Sequence, residues 1–385
     1  MSGAEIIWQE AGAERRAHWR SEAEVSAPRR VAVANDYMKA DGAYRLACEG
    51  TALLWRGDFQ NAKQIVQALA RRIDRSNTAG PIGNRKSAAV AFPEAFHRYR
   101  MAHAQRARTL GMVLIRFEAD HAIRLHRAPD VKAACTEAYG KVSEPYVASL
   151  RELLGVIGAH EWRRKGVEVP ALGGGERVHA HYGVFSPVRG EYVDLVARSP
   201  LPQTGLAFDI GTGTGVLALL LARRGLQRVL ATDVDVRALA CARENVGRLG
   251  LTARVDIVES DLFPPIAIGR AGLIVCNPPW LPGKPSSPLE HSIYDPDSRM
   301  LKGFLAGLGA RLAPGGEGWL ILSDLAEHLG LRTRGELLGW IEAAGLTVLG
   351  RLDARPQHPK AFDAGDPLHA ARRAEVTSLW RLGAG

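Results

Sequence analysis

The sequence has little cysteine and few aromatics, and it lacks any apolar run long enough to span a bilayer. Only four of 385 residues are cysteine, Cys48, Cys135, Cys241 and Cys276, with no C-x-x-C pair and no histidine at ligand spacing. A disulfide scaffold and a zinc ribbon are thereby excluded, and no metal is expected. Nowhere do about 18 apolar residues run without a charge, and the N-terminal MSGAEIIWQEAGAERRAHWR has no basic stretch followed by an apolar one. The expectation is a cytoplasmic chain with no membrane partner. With 46% hydrophobic and 24% charged residues, collagen-like, disordered and coiled-coil classes fall away. At about 100 to 200 residues per domain, the length predicts two domains.

Charge is unevenly placed. Residues 51–135 carry 15 Lys plus Arg against 6 Asp plus Glu, while the other 300 residues carry 35 of each, so this one segment holds the whole net charge of +9. A phosphate backbone of RNA or DNA, or an acidic protein surface, would meet such a surface first. Solvated arginine-rich helix faces would read the same way.

Residues 1–165 read as a mainly helical, basic, substrate-recognition domain. In NAKQIVQALARRIDR, Ile65, Val66, Leu69 and Ile73 recur at helical spacing. A loop is expected over 76–89, a long helix from Pro93 through FHRYRMAHAQRARTLGMVLIRFEADHAIRL, and a third helix over 144–164. Residues 166–385 read as the catalytic domain, with a gate hairpin over 167–185 and a core over 205–385. There, short β-branched runs alternate with helices: GLAFDI, RVLATDV, RVDIVES, GLIVCN and GWLILSD, followed by LTVLGRLDA and EVTSLWRL. The pattern predicts an α/β class fold with a doubly wound, mainly parallel, Rossmann-like sheet.

Strand GLAFDI, ending on Asp209 and Ile210, runs into Gly211-Thr212-Gly213-Thr214-Gly215 and then a helix. Glycines there permit a tight turn and let backbone N–H groups approach a ligand. The spacing is G-x-G-x-G and not the G-x-G-x-x-G of dinucleotide folds, which disfavours a nicotinamide oxidoreductase. Asp233 ends the next strand, where a carboxylate can accept both ribose hydroxyls, with Asp235 as its rival. Asp261 and Leu262 end the third strand, suiting an adenine amine and an apolar ring face. An acid that caps the following helix is the plainer reading of each aspartate.

The fourth strand ends in Asn277-Pro278-Pro279-Trp280. Prolines make this a rigid turn. The Asn277 side-chain oxygen and the Pro278 carbonyl are two acceptors able to take both hydrogens of a planar NH2 group, and Trp280 offers a flat face to stack on. Such acceptors would turn the nitrogen lone pair toward an electrophile without a strong general base.

In order and spacing, DIGTGTG, TDVD, ESD and NPPW over residues 208–280 resemble the class I S-adenosylmethionine-dependent methyltransferases with an N/D-P-P-aromatic motif. The resemblance implies a seven-stranded sheet closed by a reversed terminal hairpin. It implies S-adenosylmethionine as cofactor, with Asp209, Gly211, Thr212, Gly213 and Gly215 bordering its methionine part, Asp233 on the ribose, Asp261 and Leu262 at the adenine, and Asn277 alongside. HYGVFSPVRGEYVDL is similar to the gate segment of HemK-type glutamine N5-methyltransferases and of small-domain ribosomal RNA methyltransferases. Trp280 stands where the glutamine enzymes usually carry Tyr. Tyr182, Phe185 and Arg189 are the expected substrate contacts, with His179 and His181 also near the gate. The implied activity is methylation of a planar exocyclic amine or amide nitrogen on a macromolecule, a protein glutamine or an RNA or DNA base. A small-molecule N-methyltransferase, or a nucleic-acid-binding protein with a decayed methyltransferase domain, stays open as the alternative.

Overall fold

A computed structural model describes residues 4–79, 91–357 and 359–385. The chain divides into two compact units, Met1–Glu161 and Trp162–Gly385.

The first unit corrects the helical expectation, because it is built on a six-stranded sheet. Its strands are β1 (Glu5–Glu10), β2 (Ala13–Trp19), β3 (Arg30–Ala34), β4 (Thr51–Trp55), β5 (Val113–Phe117) and β6 (Tyr146–Ser149), in the order β1-β2-β6-β5-β4-β3. Helices α1 (Ala40–Cys48), α2 (Phe59–Ala79), α3 (Glu94–Leu110), α4 (Lys132–Tyr139) and α5 (Leu150–Lys165) join them. Strands β3, β4 and β5 are mutually parallel. The TALLW and VLIRF segments are almost wholly buried, and a short continuous apolar run of this kind has no period to separate it from buried helix. The long helix expected from Pro93 therefore stops at Leu110 and β5 follows, while the third expected helix opens as β6. Ile65, Val66, Leu69 and Ile73 are buried on α2 as their spacing requires. Residues 76–79 continue α2 where a loop was expected, and 80–89 of that loop lie outside the described residues.

In the second unit, β7 (Val167–Glu168) and β8 (Arg177–Val178) form a short antiparallel pair. The strand expected over RVHAHYGVF ends after Val178 because the next backbone groups are taken by a side chain: His179 N–H donates to Asn245 Oδ1, and His179 carbonyl accepts from Asn245 Nδ2. Helix α6 (Glu191–Arg198) leads into the main sheet. Its strands are β9 (Leu206–Ile210), β10 (Arg228–Asp233), β11 (Val255–Glu259), β12 (Ala271–Cys276), β13 (Leu312–Ser323), β14 (Leu346–Ala354) and β15 (Thr377–Ala384). They lie in the order β11-β10-β9-β12-β13-β15-β14, with β15 inserted antiparallel between β13 and β14. Helices α7 (Val216–Arg223), α8 (Val236–Arg248), α9 (Arg299–Arg311), α10 (Leu325–His328), α11 (Arg334–Ala343) and α12 (His369–Ala374) complete the unit.

Two apolar clusters pack against the sheet. One gathers α6 and α7 with Val229, Val275, Trp319 and Leu379; the other gathers α9 and α11 with Phe208, Ile274, Leu320 and Trp380. Every residue of Val216 through Ala222 is buried, as an all-apolar VLALLLA helix demands. Strand order reverses between β9 and β12, and open α/β sheets bind ligands outside the carboxyl ends of strands at such a switch point.

Candidate active site

The switch point sets the site's register. Ile210 pairs with Thr232 on one side and Cys276 on the other, so Gly211, Asp233 and Asn277 leave three neighbouring strands side by side. Gly211, Gly213 and Gly215 have φ of +70°, +54° and +83°, a left-handed run that side chains with a Cβ resist. A Cβ on Gly211 would stand 2.5 Å from Met300 Cε, whereas one on Gly213 would meet nothing within 4 Å. The loop is thus pressed on one flank and open on another.

Asp209 lies beneath this loop at 1% exposure. Its Oδ2 accepts from Thr212 Oγ1 at 2.6 Å and from the Ala218 N–H at 3.1 Å, tying strand, loop and α7 together. Burial raises its pKa to about 6, against those two hydrogen bonds. Asp233 Oδ2 accepts the Gly213 N–H at 2.9 Å and Oδ1 accepts the Asp235 N–H at 3.0 Å. Burial raises the Asp233 pKa as well, and each of its oxygens keeps acceptor capacity. Asp235 is the N-cap of α8, its Oδ1 accepting from the Arg237 N–H. Leu262 sits at φ +67°, its carbonyl held by Thr232 Oγ1 at 2.6 Å. Asp261 is exposed and ion-paired with Arg299. Spare capacity on Asp233, open space over Gly213 and the apolar Leu262 together fit the ribose, chain and ring of an adenosyl cofactor.

Asn277 and Trp280 meet directly: Trp280 Nε1 donates to Asn277 Oδ1 at 2.9 Å. Pro278 is buried, and Pro279 and Trp280 are half-buried. The Arg189 guanidinium lies 5.6 Å from the Trp280 ring centroid. Tyr182 stands under the Arg237 guanidinium, also at 5.6 Å, and Phe185 is half-buried nearby in the chain. The gate histidines are occupied by structure, His179 Nδ1 with the Arg163 carbonyl and His181 Nε2 with Glu244.

Sequence reasoning missed Asn245. Fully buried on α8, its Nδ2 donates to the Thr214 carbonyl at 3.0 Å and its Oδ1 accepts the His179 N–H at 3.0 Å, joining the glycine loop to the segment that follows β8. An Asn inside a helix, against propensity, was the available signal. Asp295 was also missed; its two oxygens accept the Met300 and Leu301 N–H groups and start α9. Among the described residues no group of three or more His, Cys, Asp or Glu could hold a metal, and no helix is long and apolar enough to cross a membrane.

Residues 176–329 match the family model of the methyltransferase small domain. A release factor glutamine methyltransferase of Cereibacter sphaeroides is 36% identical over 185 residues, covering 43% of this chain and 63% of that protein. A ribosomal protein L11 methyltransferase of Pelotomaculum thermopropionicum is 35% identical, covering 38% and 40%. A tRNA1(Val) (adenine(37)-N6)-methyltransferase of Shewanella loihica is 30% identical, covering 38% and 62%. The matches span less than two thirds of each relative's length. Residues 176–329 are therefore similar to a methyltransferase small domain, on a Rossmann-like sheet, and the cofactor is S-adenosylmethionine.

Proposed function

We propose that this chain transfers a methyl group from S-adenosylmethionine to a planar exocyclic amine or amide nitrogen of a macromolecule. The observation that carries the reading is the Asn277-Pro278-Pro279-Trp280 turn, which leaves β12 in register beside the glycine loop of β9. S-adenosylmethionine supplies an electrophilic methyl carbon on a sulfonium. Asp209, Gly211, Thr212, Gly213 and Gly215 shape its cradle, Asp233 takes the ribose hydroxyls, and Asp261 with Leu262 receives the adenine.

On the acceptor side, Asn277 Oδ1 and the Pro278 carbonyl take the two N–H hydrogens and turn the nitrogen lone pair toward the cofactor. Pro279 keeps the turn rigid, and Trp280 covers the plane that carries the nitrogen. A nitrogen that gains an alkyl group becomes positively charged and gives up its proton readily, so these acceptors suffice without a strong base. The names of two relatives specify a glutamine and the N6 of an adenine, both planar nitrogens, which supports this acceptor class.

The basic segment 51–135 is the proposed contact to RNA, DNA or an acidic protein surface. Part of its charge is spent internally, since Arg72 pairs with Asp41, Arg106 with Asp74, Arg127 with Asp58 and Lys132 with Asp120. The deciding experiment labels a lysate lacking this protein with radioactive methyl from S-adenosylmethionine and treats it with nuclease or protease. Label lost to nuclease makes the acceptor a nucleic-acid base, and label lost to protease makes it a side-chain amide. Full turnover by an Asn277→Ala chain that binds cofactor normally would overturn the mechanism, which requires about a hundredfold loss.

A further inference from the structure

The aromatic residue of the NPPW turn carries a hydrogen-bond donor, and the fold employs it. An indole N–H can only donate, so the contact from Trp280 Nε1 holds the Asn277 carboxamide by its oxygen. A carboxamide without such a partner has two nearly isosteric orientations, and in one of them NH2 stands where an acceptor is required. The oxygen has a second lone pair, which the indole leaves for an incoming amine.

The indole is itself anchored. Arg189 lies over its ring, and Arg189 Nη2 pairs with Glu375 Oε2 at 3.3 Å. Glu375 is 2% exposed, and its other oxygen accepts from Ser323 Oγ at 2.7 Å. Ser323, at 1% exposure, ends β13, and Glu375 stands just before β15. The anchor is therefore built from the end of β13 and the residue that closes α12, neither of which bears the motif, and a buried carboxylate gives the guanidinium one fixed place.

We infer that Ser323, Glu375 and Arg189 form a positioning relay that, through Trp280, fixes the Asn277 carboxamide with its oxygen toward the nitrogen to be methylated. Arg189, expected from the sequence to touch substrate, acts on it through Trp280. The inference rests on the reading of the NPPW turn as an amine-binding site.

A double-mutant cycle tests the first half. Trp280→Phe keeps an aromatic ring and removes the N–H, while Asn277→Asp makes both ends of the side chain acceptors, so orientation no longer matters. Initial rates are read as radiolabelled methyl entering the lysate fraction that the wild-type chain labels, with S-adenosylmethionine affinity measured separately by calorimetry. Trp280→Phe is expected to cost about tenfold in the wild-type background and at most about twofold in the Asn277→Asp background, with cofactor affinity unchanged. Altered stacking is common to both arms and cancels. Equal losses in the two backgrounds overturn the inference, as does an Asn277→Asp chain that binds cofactor and transfers nothing.

The second half is read without any acceptor. The indole N–H of Trp280, assigned in the NMR spectrum by its loss in Trp280→Phe, should exchange slowly with solvent in the wild-type chain. In Arg189→Met combined with Glu375→Gln, which leaves no buried carboxylate alone, exchange should be about tenfold faster. Unchanged exchange overturns the relay. A wild-type chain that binds cofactor yet labels nothing refutes the methyl-transfer reading instead, and the indole exchange still decides whether the relay exists.

Discussion

Replacing Asp209 by asparagine should change the stability of the protein by an amount that depends on pH in a definite direction. Asp209 is 1% exposed, and burial holds its pKa near 6, against an ordinary value of 3.8. Between those two pH values the folded chain keeps a proton that the unfolded chain has released. Stability contributed at this site is therefore greatest below about pH 4, falls as pH rises through the window, and is lowest above about pH 6. The interval of about two pH units corresponds to about 3 kcal/mol. The asparagine of Asp209→Asn keeps an oxygen for Thr212 Oγ1 and the Ala218 N–H but carries no charge to desolvate. Urea unfolding of the full-length wild-type and Asp209→Asn chains, at steps from about pH 4.5 to 8, measures the difference. The variant should gain on the wild type by up to about 3 kcal/mol as pH rises to about 8. A difference that stays flat with pH, or that shrinks as pH rises, would refute the assignment of a buried, late-titrating carboxylate to this loop.

The other predictions concern the parts around it. Asn277→Ala should bind S-adenosylmethionine with wild-type affinity in calorimetry and lose about a hundredfold in turnover. Asp233→Ala, which removes the acceptor proposed for the ribose and frees the Gly213 N–H, should weaken cofactor binding about tenfold to a hundredfold in the same assay. Asn245→Ala leaves the half-buried His179 N–H and the carbonyl of buried Thr214 without their partner; urea unfolding should show a loss of about 1–3 kcal/mol, and an unchanged midpoint would remove Asn245 from the loop's support. If the acceptor is RNA, binding of bulk RNA by the full chain should fall steeply between roughly 50 and 200 mM salt, and a flat response would dismiss phosphate contact by segment 51–135.

The second unit was largely legible because its signals are local. Each of LAFDI, RVLATD, VDIVE and AGLIVC is a β-branched or apolar run closed by a polar turn. Glycines at positive φ, and an aspartate or asparagine at a strand end, are also set within a few residues. The first unit was misread because TALLW and VLIRF are buried nearly throughout and show no alternation, while the helices beside them have a clear 3.6-residue period. Periodicity found α2 and the start of α3, and had nothing to find in TALLW and VLIRF.

The sequence by itself determined the order of the seven strands from residue 206 onward, the turn chemistry at Gly211 to Gly215 and the rigid Asn277 to Trp280 corner. These depend on backbone preferences and on neighbours in the chain. Tertiary structure alone decided which atoms are spent and which are left for a ligand. Asp233 holds Gly213 from 20 residues away, Asn245 joins Thr214 to His179 across 31 and 66 residues, and Arg189 meets Glu375 across 186. The physical reason is that hydrogen-bond capacity is assigned by proximity in space. A side chain's type says what it can donate or accept, and only packing says to whom.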